Sequence, residues 1–203
     1  MNQGEIRRFL DDFLKNRERT IAIVDFGNVE KWKHGLGWRV GIRELATLMK
    51  HFSYGSRYLR RFYYGADYGP NEKSTKLVDW SKYILRTADI NGFHVVDKRV
   101  KYMHGQDSVL GYAKKCDLDV EMTVDLIRER KNYDNIVLLS GDGDLMAAIR
   151  YLKEAYGKRA VVMSARGHIG REVIDARNDG CLEEILFADD FEYRLNMDRF
   201  IKR

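Results

Sequence analysis

The chain has 203 residues, 44% hydrophobic and 12% aromatic, with 36 Lys and Arg set against 31 Asp and Glu for a net charge of +5. That is ample for one sizeable core, and the basic excess favours a polyanionic partner without requiring one. No apolar run approaches the roughly 20 residues that cross a bilayer, and the charged N-terminus MNQGEIRRFLDDFLKNRER does not read as a secretory signal, so the expected location is the cytoplasm, with no membrane partner.

Taken in chain order, residues 1–18 read as an amphipathic helical extension. Apolar runs suited to strands follow at 21–26, 58–64, 93–96, 136–139 and 160–163, and helix-like patterns lie between them at 41–52, 74–91, about 117–131 and 144–156. The last stretch, 191–203, reads as a C-terminal helix packed on the same domain, which spans 19–190. Strands alternating with helices imply an α/β sandwich, a central mostly parallel sheet of about five or six strands covered by helices on both faces, because parallel neighbours need crossover connections. Cys116 and Cys181 lie far apart, with no second cysteine or histidine at zinc-ligand spacing, which argues against a disulfide framework and a structural zinc.

In such sheets ligands sit outside the carboxyl ends of the strands. That rule brings Asp25 after the first strand and Asp142 and Asp144 of "SGDGDL" after the fourth to one edge. A helical wheel over 117–131 adds Asp119, placed near the centre of an apolar arc of Leu118, Val120, Met122, Val124, Leu126 and Ile127, where a charge is costly unless paired or coordinated. Asp119 could instead be the N-cap of that helix. Crowded carboxylates repel unless a cation joins them, and a hard divalent ion, Mg²⁺ or Mn²⁺, matches their oxygen donors. Asn28 adds a neutral amide three residues past Asp25. The structural reading of the turn is that Asp142 caps the next helix, Asp144 meets its dipole, and Gly141 and Gly143 simply permit the bend.

Rival chemistries lack their cradles. No G-x-G-x-x-G follows the first strand, and neither G-x-x-x-x-G-K-[ST] nor G-x-S-x-G occurs. An aspartyl-phosphate mechanism at Asp25 has Gly27 where a second acid would be needed.

The segments "IVDFGNV" (23–29), "YYGAD" (63–67), "DVEMTVD" (119–125) and "LLSGDGDLMAAIRYLKEAYGKRAVVMSA" (138–165) resemble the NYN domain, a PIN-like nuclease fold, in its LabA-like branch. The resemblance covers about 20–190 and implies a PIN-like, Rossmannoid sandwich. It also implies a metal-dependent ribonuclease whose site comprises Asp25, Asn28, Asp119, Asp142 and Asp144, with Asp125 and Ser140 as lesser candidates. Asp125, the family's second helix acid, falls on the polar face of the wheel.

The expected ions are Mg²⁺ or Mn²⁺ held by Asp25, Asp119, Asp142 and Asp144, and the expected substrate is single-stranded or structured RNA. Lys98, Arg99 and Lys101 after the third strand, and Arg166, His168 and Arg171 after the fifth, are placed to neutralise flanking phosphates. In "EKWKHGLGWRV", Trp32 and Trp38 alternate with cations that include Lys33 and Arg39, the mixture of a single-strand stacking platform, or else those tryptophans pack beneath the loop. The alternative function is RNA binding or regulation without cleavage, and a homodimer is one assembly considered.

Overall fold

The computed structural model describes residues 3–13, 19–52, 59–71, 73–104 and 112–200. Helix α1 (Gln3–Phe13) precedes β1 (Thr20–Asp25), and two short helices, α2 (Phe26–Val29) and α3 (Lys33–Leu36), lead with an intervening 3-10 turn to α4 (Ile42–Phe52). Next come β2 (Arg60–Ala66), α5 (Asp79–Ile90), β3 (His94–Arg99) and an antiparallel pair, β4 (Lys101–His104) with β5 (Tyr112–Lys115). The chain continues through α6 (Asp119–Glu129), β6 (Asn135–Leu139), α7 (Met146–Tyr156), β7 (Arg159–Ser164), α8 (Arg171–Asn178), β8 (Glu184–Phe187) and α9 (Glu192–Leu195).

Six of the strands form one wholly parallel sheet in the order β3-β2-β1-β6-β7-β8, so the α/β expectation holds. Strands covered on both faces read as continuous apolar runs, and β6, NIVLL, is buried along its whole length. Side chains alternate between two cores. Ala22, Val24, Phe62, Val137 and Leu139 face α1, α4, α5 and α9, while Ile21, Ile23, Tyr63, Ile136 and Leu138 face α6, α7 and α8. Truncating one of these, Leu138 for example, would cost about 2–5 kcal/mol through lost burial and the cavity left behind.

Strand order runs outward from β1 in one direction and from β6 in the other, so the sheet reverses its winding between them. Connections leave to opposite faces there, and a crevice opens at the strands' carboxyl ends. The β1–β6 register ends at Val24 opposite Leu139, which sets the next residues, Asp25 and Ser140, side by side at that crevice.

Of the two terminal expectations, the C-terminal one changes. The N-terminal helix is described over Gln3–Phe13 and buries Ile6 and Phe13 in the α4-side core, while residues 14–18 lie outside the described set. Residues 191–203 are not one helix: α9 is a single turn, Asn196 adopts φ −74° and ψ 106°, and a 3-10 turn follows at Met197–Phe200. The extended backbone at Asn196 bridges Val40, and that pairing interrupts the helix. No helix among the described residues is long and apolar enough to cross a membrane.

Candidate metal centre

The carboxyl end of β1 is tied to the turn after β6 by a compact hydrogen-bond set. Asp25 accepts from the backbone N–H of Asn28 (3.2 Å) and from Ser140 Oγ (3.0 Å), and Ser140 Oγ in turn accepts from the Asp142 N–H (3.2 Å). Asn28 Oδ1 accepts both Trp32 Nε1 (2.9 Å) and the Gly141 N–H (3.0 Å). Asp142 Oδ1 accepts the Asp144 N–H at 3.3 Å, which closes the turn before α7 begins. The two glycines of SGDGD serve close approach rather than an unusual dihedral, since neither has a positive φ. A Cβ at Gly141 would land on the His168 carbonyl oxygen, and one at Gly143 would lie 2.6 Å from Glu172 Cβ.

Asp119 is the first residue of α6, with Leu118 as its N-cap. Asp119, Asp142 and Asp144 each offer a carboxylate oxygen, and these atoms lie within 4.8 Å of one another. Asp25 lines the same cleft, a depression of about 630 Å³ shared with Asn28, Lys31, Asp67, Trp80 and Asp117. Carboxylate oxygens this close would let the three aspartates hold one cation between them once their side chains adjust. The donors are all hard oxygens, which suits Mg²⁺ or Mn²⁺; the residues present fit such an ion.

The electrostatics show what the crowding costs without a cation. Burial pushes Asp119 up to about 7, helped by its hydrogen bond with Asp117 and by the charges of Asp117, Asp142 and Asp25. Asp117 is lowered in step, because it accepts hydrogen bonds from the Asp119 carboxyl and backbone. Burial also raises Asp25, while the Asn28 N–H and the Ser140 hydroxyl pull the other way.

Several sequence-derived candidates take other roles. Asp125 is absent from the cleft lining and buried: Arg61 Nη1 lies 2.6 Å and Tyr63 Oη 2.7 Å from its Oδ2, so it is a structural ion-pair member. The wheel over this helix was out of phase. The buried stripe is Leu118, Met122 and Leu126 with Asp125 beside it, whereas Val120 and Val124 point outward, 69% and 44% exposed. Asp119 reaches the cleft because the helix begins over the strand ends, not because it sits within an apolar arc. Ser140 holds Asp25 and the turn, and Asn28 clamps α2 to that turn through its amide oxygen.

None of the expected RNA-contact residues lines the cleft. Trp32 is fully buried, because the helical winding of 26–36 turns its indole inward onto Asn28, so it cannot stack a base. Trp38 packs partly buried against the same core, Arg39 pairs with Asp198, and Lys33 is exposed. Lys98 binds Glu121 and the Asp117 carbonyl, while Arg99 donates to the Ser74 and Asn71 carbonyls. With Lys101, these two line an adjoining cleft that shares Val100, Lys115, Cys116 and Asp117 with the acidic one. Arg166 pairs with Asp190 over the Phe187 ring, Arg171 faces Asp175, and the half-buried His168 ring lies next to Gly35.

The cations that do line the acidic cleft are Lys31, Lys114 and Lys115. Three further lining residues are not among the expected site residues: Asp117, Asp67 and Trp80. Burial alone would raise Asp67, but hydrogen bonds from Lys114 and Tyr102 more than offset this and hold its carboxyl low, pinning the β4–β5 pair to the end of β2. Asp67 follows an apolar run as Asp25 does, and the same strand-end rule points to it.

Comparison with known proteins agrees with this arrangement. The NYN domain profile matches residues 19–181. Low amplitude and bright protein LabA from Synechococcus elongatus is 36% identical over 85 residues, 42% of this chain and 45% of that protein, so the match spans under half of the relative's length. A crystal structure of a protein of unknown function from Vibrio parahaemolyticus RIMD 2210633 superposes with a TM-score of 0.59 at 22% identity, over 85% of this chain and 94% of that one, a likeness of fold alone. With the profile spanning most of the chain and the parallel sheet carrying its acids at the winding reversal, the chain belongs to the NYN domain family.

Proposed function

We propose that this chain is a cytoplasmic endoribonuclease that hydrolyses RNA phosphodiester bonds with Mg²⁺ or Mn²⁺ at the acidic cleft. The observation that carries the reading is the meeting of Asp119, Asp142 and Asp144 within 4.8 Å, beside Asp25, at the reversal of the sheet. When bound, a divalent ion polarises a phosphate and makes water nucleophilic at neutral pH. Asp119, Asp142 and Asp144 would hold it, and Asp25, fixed by Ser140 and the Asn28 N–H, would complete the set. Asp119, whose carboxyl burial pushes up to about 7, would have to lose its proton to hold the ion. Lys31, Lys114 and Lys115 supply positive charge for the phosphates that flank the scissile one.

The test is cleavage of a labelled single-stranded RNA with Mg²⁺, with Mn²⁺ and with chelator. Cleavage should need the metal and fall by on the order of 10²–10³-fold in Asp25→Asn and Asp142→Asn, the loss typical when one charge-stabilising group is removed, with RNA binding retained. RNA bound yet intact under every metal condition would make the protein a binding or regulatory one instead.

A further inference from the structure

We infer that Trp80, backed by Tyr83, is a stacking platform for an unpaired nucleobase of the strand whose phosphate meets the acidic cluster. The ligand in this inference rests on the ribonuclease reading, to which it adds a base subsite. Trp80 lies in the first turn of α5 and lines the cleft with Asp25 and Lys31, yet it is 52% exposed. Its helix does not need it for packing: α5 buries Ser81, Ile84 and Ala88, and Trp80 and Tyr83, three residues apart, share a different face. A large aromatic left half in water forfeits one of the largest apolar burial terms a side chain can contribute, which calls for a reason.

The ring is also held. Its Nε1–H donates to Glu30 Oε1 at 3.0 Å, and Tyr83 stacks on it with centroids 5.5 Å apart and planes 26° from parallel. One indole face is thus occupied and the other left open, with its orientation set in advance, which lowers the ordering cost of binding a planar group. Glu30 lies five residues after Asp25, and Lys31 follows it and lines the cleft beside Asp25. Open ring, cation and carboxylates therefore succeed one another along one wall of chain, matching base, flanking phosphate and reacting phosphate. A second exposed aromatic pair among the described residues, Tyr151 and Tyr156, offers no such face: its rings meet edge-on at 80°, Arg130 covers Tyr156, and neither lines the acidic cleft.

The experiment uses the full chain carrying Asp142→Asn, so that RNA is bound but not cut, and short labelled oligoribonucleotides, intact or with one abasic position moved along the strand. Trp80→Ala should weaken binding of the intact strand about tenfold, within the range for one base–aromatic stack, and Trp80→Phe by about threefold or less. In the parent, one abasic position should produce the same loss, and Trp80→Ala should no longer respond to it. Trp80→Phe keeps a ring of similar shape and guards against misreading a folding defect. Intact RNA bound equally tightly by the parent and Trp80→Ala, an unchanged abasic profile, or no RNA binding at all would overturn the platform. RNA cleaved by the wild type without any Trp80 dependence sinks this inference alone, whereas Trp80-dependent binding without cleavage sinks only the nuclease reading.

Discussion

Helix α6 carries acids in two settings that are treated in opposite ways. At its first residue, Asp119 joins Asp142, Asp144 and Asp25 at a cleft where carboxylates outnumber nearby cations, and its carboxyl is pushed up to about 7. Six residues on, Asp125 and Glu129 are each matched to a guanidinium nitrogen of Arg61, at 2.6 and 2.9 Å, with Tyr63 and Arg128 completing the shell of Asp125. The contrast separates a structural acid from a candidate ligand. Where the fold itself supplies the counter-charge the acids need nothing more; where it withholds that charge, an outside cation has a place to go.

The largest effect should come from breaking the closed set. Arg61→Ala leaves Asp125 buried with only the Tyr63 hydroxyl and the exposed Arg128 as partners, and denaturant unfolding should show about 3–5 kcal/mol lost, with the double variant Arg61→Met, Asp125→Leu recovering most of it. Unchanged stability in the single variant would mean that the pair does not differ from the cleft acids at all.

Next comes pH. Asp119 is held protonated well above its unfolded value of 3.8, so the metal-free fold binds a proton that the unfolded chain has lost. Its contribution to stability is full below about 4 and declines as pH rises through about 7. A cation must displace the same proton, so Mn²⁺ affinity measured by calorimetry should rise by up to about tenfold per pH unit toward 7 and then level off. In Asp119→Asn this rise should flatten, while in Asp125→Asn it should remain.

The smallest effect sharpens the comparison by its sign. Asp142→Asn keeps the acceptor for the Asp144 N–H yet removes one charge from the crowd, so the metal-free protein should gain up to about 1 kcal/mol in thermal unfolding. The same change at Asp125 should lower stability. Loss of stability in both would place the cleft acids in a structural role.

Strand-forming runs, the crossover helices and the edge at which Asp25, Asp142 and Asp144 gather were legible because they depend on local pattern and on a rule about strand ends. What depended on phase was not. The stretch 74–91 reads as one helix, but α5 starts at Asp79, after Val78 has tied its N–H to the Asp67 carbonyl in extended backbone, and the shift conceals that Trp80 faces the cleft. The alternation of aromatics and cations in 30–40 suggests an open strip, whereas helical turns there swing Trp32 into the core. Asp125 was misplaced because its partner Arg61 stands 64 positions away on β2, a distance no wheel can register.

The lack of room for a methyl group at Gly141 or a side chain at Gly143 has a kinetic corollary. The His168 carbonyl, in a 3-10 turn over Arg166–His168, and the Glu172 side chain of α8 pin that corner from outside, so the carboxylates it carries are mounted on a rigid bracket before any ion arrives. Capture of the ion should then proceed at the pace of water exchange around it, with amide hydrogen exchange in the corner scarcely altered by loading.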